Sequence, residues 1–309
     1  MRILVTGAAG FLGKYLCQAL TGRGDHVVGL VRDITAYDPL LNIDCVDALV
    51  LGSFEQVERA LAEYEVDVVY HLAAQTQVST AVADPTGTWE TNVGGTWRVL
   101  EACRRQRVKR VVVASSDKVY GDGAAPYVED QPLLAHGVYA TSKACADLVA
   151  QSYAREFGMS VVVTRCGNLY GPGHVNWSTL IPGTIRSVLR GERPRLRSNG
   201  GPKRDYLYVA DAVDAYLRLS DFGVDKESHI FNFGTGRGTS AIDAVNLILK
   251  LMDSHLKPIV GARKSVEIDE QVLDSSRAAR ILGWGPTRTL ESGLAETIKW
   301  YREYLKESK

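Results

Sequence analysis

Two kinds of hydrophobic pattern alternate along the first half of the chain. Short, almost continuous apolar runs are separated by longer segments in which apolar residues recur at helical spacing. Continuous apolar runs are typical of parallel strands that are buried on both faces. The pattern predicts strands over 3–6, 26–31, 46–51, 66–72, 108–115 and 160–165, and helices over 11–22, 54–64, 88–106 and 139–157. We therefore expect an α/β fold with a doubly wound parallel sheet.

The second half of the chain has a different pattern. Glycine and proline cluster in 171–173, 181–183 and 199–202, which predicts loops, and helical spacing returns over 241–252 and 290–305. We expect residues 1–166 to form the sheet domain and residues 167–309 to form mainly a smaller C-terminal lobe that binds the substrate. The segments near 206–214 and 230–245 are expected to return to the first domain.

Charge and composition narrow the class of protein. The 36 lysines and arginines balance the 36 aspartates and glutamates, so no positive excess favours a nucleic acid partner. No apolar run approaches the roughly 20 residues that cross a bilayer, and the chain begins directly on a strand-like segment. We therefore expect a cytoplasmic protein. The five cysteines are widely spaced and form no CxxC pair, which predicts neither disulfides nor a bound metal.

A glycine-rich turn joins the first predicted strand to the first predicted helix. Gly7, Gly10 and Gly13 permit a tight turn, and Phe11 and Leu12 open the helix beside them. Backbone N–H groups at a helix N-terminus bind the pyrophosphate of a dinucleotide. The spacing and its context predict a Rossmann domain that binds NAD or NADP.

The end of the second predicted strand leaves the choice of dinucleotide open. An acidic residue there would bind the adenosine ribose of NAD, and Asp33 is available for that contact. Arg32, directly before it, would instead pair with the 2′-phosphate of NADP. The two interpretations carry equal weight on the sequence alone.

A second set of residues predicts proton chemistry. Ser116 follows the strand over 108–115, and Tyr139 and Lys143 lie four residues apart on one face of the next helix. An ammonium group beside a phenol favours the phenolate, so we expect Lys143 to lower the pKa of Tyr139. Tyr139 would then take a proton from a sugar hydroxyl or return it.

These motifs together resemble the extended short-chain dehydrogenase/reductases, and among them the nucleotide-sugar epimerases and dehydratases. Further stretches that carry the resemblance are 71–75, 91–96, 165–172 and 204–211. The resemblance implies that Leu72, Ala73 and Ala74 line the cofactor site. It also implies that Asn168 lies near the diphosphate of a nucleotide-diphosphate sugar and that Arg204 pairs with its phosphates.

The resemblance also implies a homodimer. In the family, helices that correspond to 88–106 and 139–157 pair into a four-helix interface. These helices carry apolar residues beyond what one packing face against the sheet requires, among them Val99, Leu100, Ala146 and Val149. We expect a two-fold contact between identical faces.

Asp117 and Lys118 decide the subgroup. After Ser116 this pair resembles the Asp-Lys variant of CDP-glucose 4,6-dehydratases, which implies an acid for the departing 6-hydroxyl and a base for the proton at carbon 5. The expected activity is an NAD(P)-dependent nucleotide-sugar 4,6-dehydratase, a lyase that recycles its cofactor. The alternative is a 4-epimerase or 4-ketoreductase in which Asp117 and Lys118 form a structural ion pair. A non-catalytic dinucleotide-binding protein is a remote third possibility.

Overall fold

A computed structural model describes residues 1–32, 43–47, 53–222, 229–262 and 268–307. The strands are β1 (Arg2–Thr6), β2 (His26–Val31), β3 (Asp44–Asp47), β4 (Val68–His71), β5 (Arg110–Ala114), β6 (Val161–Cys166), β7 (Asn168–Tyr170), β8 (Lys203–Tyr208), β9 (Ile230–Phe233), β10 (Gly238–Ser240) and β11 (Glu270–Gln271). The helices are α1 (Phe11–Gly22), α2 (Phe54–Glu63), α3 (Val78–Ala83), α4 (Pro85–Trp89), α5 (Gly95–Arg105), α6 (Val138–Phe157), α7 (Leu180–Leu189), α8 (Val209–Asp221), α9 (Ala241–Leu251), α10 (Ser276–Leu282) and α11 (Leu290–Glu307).

The main sheet has seven parallel strands in the order β3-β2-β1-β4-β5-β6-β9. Successive residues of β1 point to opposite faces, so Ile3 and Val5 join one core cluster and Leu4 joins another. Helices α1 and α8 cover the first face, and α2, α5 and α6 cover the second. The strand order reverses between β1 and β4, where open α/β sheets bind their ligands. The predicted doubly wound Rossmann fold is confirmed.

A smaller sheet is built around β8. Strands β7 and β11 pair with it in parallel and β10 pairs with it antiparallel. Three tyrosines, Tyr170, Tyr206 and Tyr208, form a core with residues of α7, α9 and α11. The chain returns from β8 to the main sheet through α8 and β9, and Tyr216 of α8 is fully packed in the first core cluster.

Two predicted segments differ in the structure. The third predicted strand lies slightly earlier, at Asp44–Asp47, and residues 48–52 are outside the described chain. The glycine and proline at 181–183, predicted as a loop, belong to the first turn of α7. Proline is tolerated there because first-turn N–H groups need no partner within the helix. A Cβ on Gly183 would lie 2.8 Å from the Trp177 carbonyl oxygen, so packing requires glycine.

The helix predicted over 88–106 is divided. It begins as α4, passes through a π-helical turn at Glu90–Gly94 and continues as α5. The expectation that Val99, Leu100 and Ala146 are surplus to internal packing is wrong, because all three are buried within the chain. None of the described helices is long and apolar enough to cross a membrane.

Candidate active site

The turn after β1 has a conformation that only glycine supplies easily. Gly7 has φ +73°, its N–H donates to the Leu30 carbonyl oxygen at 3.0 Å, and a Cβ on it would lie 2.9 Å from the Ala73 nitrogen. A Cβ on Gly13 would lie 2.1 Å from the Gly7 carbonyl oxygen. Gly10 precedes α1 without a side-chain cap, so the helix N-terminus keeps donors for an anionic ligand. The local structure therefore fits a pyrophosphate.

A cavity of about 890 Å³ lies above this turn, along the carboxyl ends of the central strands. It brings together most of the residues predicted from the sequence: Gly7, Gly10, Phe11, Leu12, Gly13, Arg32, Leu72, Ala73, Ala74, Ser116, Asp117, Lys118, Tyr139, Lys143 and Asn168. Asp33 lies outside the described residues.

His71 supports the cavity wall from behind, a role that the sequence did not predict. Its Nδ1 lies 2.8 Å from Thr6 Oγ1 and its Nε2 lies 3.1 Å from Thr96 Oγ1. Thr6 Oγ1 also accepts a hydrogen bond from the Ala73 N–H at 3.2 Å. Burial, and next the charge of Lys143, lower the pKa of His71 to about 3, so the ring is neutral. A histidine inside an apolar strand is the signal that would have indicated this contact.

Tyr139 and Lys143 lie in the cavity as predicted, but their electrostatics differ from expectation. Lys143 Nζ donates to the Ala114 carbonyl oxygen at 2.6 Å. Burial lowers the pKa of Lys143 to about 8 and raises the pKa of Tyr139 to about 12, and a hydrogen bond with Ser116 opposes the latter shift. The pKa of Tyr139 is therefore raised, where the sequence predicted that it would be lowered, because desolvation of the phenolate outweighs the hydrogen bond with Ser116.

Asp117 and Lys118 form a tight pair in a 3₁₀ turn, Asp117–Tyr120, in which the Lys118 N–H donates to the Ser116 hydroxyl oxygen at 3.2 Å. Lys118 Nζ lies 2.9 Å from both carboxylate oxygens of Asp117 and 3.0 Å from Asn168 Oδ1. The Ser116 hydroxyl donates to Asp117 Oδ1 at 3.1 Å. Asp117 is buried, whereas a quarter of the Lys118 side chain is exposed toward the cavity. The two groups predicted to act as acid and base therefore share one ion pair.

A buried ion pair anchors α6 to the main sheet. Asp147, one turn after Lys143 on α6, accepts from Arg165 Nε at 2.8 Å and from Arg165 Nη2 at 3.0 Å. The Ser115 hydroxyl donates to the same carboxylate at 2.6 Å. Neither charged side chain is exposed by more than 1%. The sequence analysis missed this pair, although an arginine near the end of a continuous apolar strand is its signal.

A second cavity of about 850 Å³ adjoins the first. The two share Asn168, His174 and Arg197 among their lining residues. The second cavity is rich in positive charge, which five arginines contribute: Arg186, Arg193, Arg195, Arg197 and Arg204. Arg204 Nη1 is braced by the carbonyl oxygens of Lys203 and Ile268. Such a surface suits a diphosphate.

Comparison with known proteins agrees with this geometry. The sequence model of the NAD dependent epimerase/dehydratase family matches residues 3–234. The dTDP-glucose 4,6-dehydratase of Mycolicibacterium smegmatis is 32% identical over 326 residues, and the match covers 98% of this chain and 93% of that protein.

Solved structures of similar proteins include both epimerases and proteins with bound NAD. The UDP-glucose 4-epimerase of Thermotoga maritima, with UDP-glucose, has a TM-score of 0.92 at 28% identity, covering 99% of this chain and 100% of that chain. MoeE5 in complex with UDP-glucose and NAD has a TM-score of 0.89 at 30% identity, with the same coverage.

The family match confirms the resemblance to the epimerases and dehydratases and the nicotinamide cofactor, both of which were expected from the sequence. It includes the glycine turn and the helix that carries Tyr139 and Lys143, and the family description confirms a nicotinamide dinucleotide as cofactor. The relatives extend the similarity over almost the whole chain. This chain therefore belongs to the NAD dependent epimerase/dehydratase family, the nucleotide-sugar enzymes among the extended short-chain dehydrogenase/reductases.

Proposed function

We propose that this protein is a nucleotide-sugar 4,6-dehydratase that forms a 4-keto-6-deoxy sugar. The observation that carries the proposal is the Asp117–Lys118 pair, held at 2.9 Å beside Ser116 in the cavity that also contains Tyr139. A dehydratase needs one acid and one base beyond the groups that oxidise carbon 4. The pair supplies one of each, next to the region that joins the two cavities.

The chain's own groups account for the proton movements. When bound, the nicotinamide cofactor would accept the hydride of carbon 4 and return it to carbon 6, so that it would be unchanged over one turnover. Tyr139 in its ionised form takes the proton of the 4-hydroxyl. Lys118 in its neutral form takes the proton from carbon 5, which the 4-ketone acidifies. Asp117 delivers a proton to the departing 6-hydroxyl, and water leaves. Lys118 then returns its proton to carbon 5.

The Asp117–Lys118 pair can supply both the acid and the base without taking a proton from solvent. Transfer of one proton from Lys118 Nζ to Asp117, across the 2.9 Å hydrogen bond, gives a neutral amine and a protonated carboxyl together. Over one turnover Tyr139 gains one proton and Asp117 loses one in water. Return of that proton from Tyr139 to Asp117 through the Ser116 hydroxyl, which is hydrogen-bonded to both residues, restores the starting state. The reaction is therefore neutral in both protons and electrons.

A 4-epimerase is the second candidate, with a 4-ketoreductase as its variant. The TM-score of 0.92 with a UDP-glucose 4-epimerase favours this candidate. A 4-epimerase would need only Ser116, Tyr139 and Lys143. In that case Asp117 and Lys118 shape the loop. A non-catalytic dinucleotide-binding protein is less favoured because Tyr139 and Lys143 both line the cavity.

We also propose a nucleotide-diphosphate sugar as substrate and a homodimer formed through α5 and α6. The arginine-rich second cavity supports the first proposal. Exposed apolar residues, Trp97 on α5 and Leu148 on α6, support the second.

The deciding experiment incubates the purified protein and NAD or NADP with CDP-, GDP-, dTDP- and UDP-sugars. We expect one sugar to lose the mass of one water and to gain a 4-keto-6-deoxy group. Inversion at carbon 4 without loss of mass would show an epimerase instead.

Substitutions then test the individual roles. Asp117→Asn and Lys118→Met should still oxidise carbon 4, seen as reduced cofactor, but form the 6-deoxy product at least ~100-fold more slowly, the usual scale for a lost general acid or base. Tyr139→Phe should block both steps. Lys299→Met, an exposed lysine on α11, is the matched control. If Asp117→Asn and Lys118→Met keep turnover within a few fold of the unsubstituted enzyme, the pair is structural.

A further inference from the structure

Lys118 has two fixed hydrogen-bond acceptors, and only one of them belongs to its own turn. Asp117 accepts through both carboxylate oxygens at 2.9 Å. The other acceptor is Asn168 Oδ1, 3.0 Å away, from a strand fifty residues later. The resemblance had implied that Asn168 lies near the substrate diphosphate, so this contact with the amine was not predicted.

The amide of Asn168 is placed by the backbone. Asn168 begins β7 and pairs with Tyr206 of β8. Directly before it, the Gly167 N–H donates to the Phe233 carbonyl oxygen at 3.0 Å. A Cβ at Gly167 would lie 2.8 Å from the Asp205 carbonyl oxygen, so glycine lets the two strands approach closely. The position of Asn168 is therefore set before any ligand binds.

The tetrahedral geometry of an amine gives this contact a consequence. Nζ has four positions, of which one is the bond to its carbon, one faces Asp117 and one faces Asn168. A neutral lysine that turns about its Cε–Nζ bond can donate one N–H to the unprotonated oxygen of Asp117 and the other to Asn168, and its lone pair then lies at the fourth position. Lys118 lines the first cavity, and Asn168 lines both cavities where they join. The fourth position is then the one available to a substrate.

We propose that Asn168 is a positioning residue for Lys118, which orients the amine so that its free position meets the carbon 5 proton of the sugar. The inference rests on the proposed dehydratase function and names a further residue of that site. The Asn168 oxygen is occupied by Lys118, so a contact with the substrate would involve its Nδ2 group. A binding role and a positioning role therefore predict different kinetics.

Asn168→Leu removes the acceptor at similar volume. We expect kcat for loss of water to fall on the order of 100-fold, the scale of a misplaced catalytic group. The affinities for UDP, dTDP, CDP and GDP, measured by calorimetry, should stay within a few fold. Asn168→Asp keeps an acceptor, and should restore much of kcat while it moves the basic group's limb of the pH profile to higher pH, because a second carboxylate favours the ammonium.

A second measurement does not depend on turnover. The rate at which acetic anhydride modifies Lys118, followed by peptide mass spectrometry against pH, reports its titration. The other titratable groups whose pKa the Asp117 charge raises are Tyr127, Tyr139 and Cys166. We expect the midpoint to rise in Asn168→Asp and to fall in Asn168→Leu.

The outcomes separate the two proposals. Unchanged midpoints, or an Asn168→Leu protein that loses only affinity for the nucleoside diphosphates, would overturn the role of Asn168. If no sugar loses water but the midpoints shift as expected, the dehydratase proposal fails and the link between Asn168 and Lys118 stands as a structural contact only.

Discussion

Burial shifts the pKa values of Tyr139 and Lys143 away from those of the free side chains. The spacing of Tyr139 and Lys143 correctly placed both in one cavity. It did not indicate that Lys143 would reach back to the Ala114 carbonyl oxygen, since that contact joins α6 to β5. Sequence spacing therefore predicts which residues share a helical face, and burial decides their protonation.

Arg32 tests the choice of cofactor. It is exposed and lines the first cavity at the end of β2. If it pairs with a 2′-phosphate, Arg32→Ala should weaken NADP binding by about 1.5 to 3 kcal/mol and leave NAD binding nearly unchanged. Titration calorimetry with both cofactors is the measurement, and Arg302→Ala on α11 is the control. Equal losses for NAD and NADP, or no loss, would show that Arg32 faces solvent.

His71 makes the stability of the fold depend on pH. Its folded pKa of about 3 lies below the ordinary value of about 6.5, so the unfolded chain binds the proton first as pH falls. The contribution is complete above pH 6.5 and is lost toward pH 3. Between pH 7 and pH 5 the free energy of unfolding should fall by about 2 kcal/mol from this group.

The matched variant is His71→Gln, whose amide can still join Thr6 and Thr96 but does not titrate. Urea denaturation at pH 7 and pH 5 should show a smaller fall for His71→Gln than for the unsubstituted protein. The same fall in both would mean that other groups cause the acid sensitivity.

At the scale of elements, helices and strands with strong periodicity were predicted well. Helix α1 has the predicted bounds, and α6 begins one residue early. Helix α7 was missed because its proline and glycine lie in the first turn, where the helix tolerates them. The π-helical turn at Glu90–Gly94 was also not predicted. It contains Asn92, whose Oδ1 accepts a hydrogen bond from the Gln75 N–H at 2.7 Å.

The attachment of α6 to the sheet depends on Asp147. Asp147→Asn leaves the Arg165 guanidinium buried without its full charge partner, so we expect a loss of about 3 to 5 kcal/mol in unfolding free energy. Asp214→Asn, which breaks an exposed pair with Arg218 at 2.8 Å, should cost about 1 kcal/mol or less. Urea denaturation of both variants makes the comparison. Equal losses of unfolding free energy in the two variants would show that the buried pair stabilises the fold no more than the exposed pair does.

For the molecule as a whole, the sheet and its covering helices followed from the sequence, whereas the smaller sheet did not. The three strands that pair with β8 are short, with three residues in β7, three in β10 and two in β11. They contain too few positions for a period to be visible, and their pairing with β8 depends on segments far apart in the chain. The first cavity could therefore be predicted in more detail than the second.

The proposed homodimer is tested at this scale. Trp97 is 41% exposed and Leu148 is 54% exposed, so these residues, and not Val99 or Leu100, are available to a second copy. We expect a dimer in sedimentation velocity at micromolar concentration, and a monomer when Trp97→Glu and Leu148→Glu are combined. Val260→Glu, another exposed apolar position, is the control. A monomeric unsubstituted protein would contradict the proposal.

The last strand of the main sheet, β9, has a consequence for how the protein is made. While the ribosome is still adding residues 167–229, β6 can pair with β5 only. Val163 of β6 has no strand opposite it until Ile230 of β9 has been made. An unpaired edge next to a buried apolar face is prone to join other chains. A nascent chain therefore has to protect this edge until β9 emerges, and shortened genes that stop near Cys166 should give aggregated product.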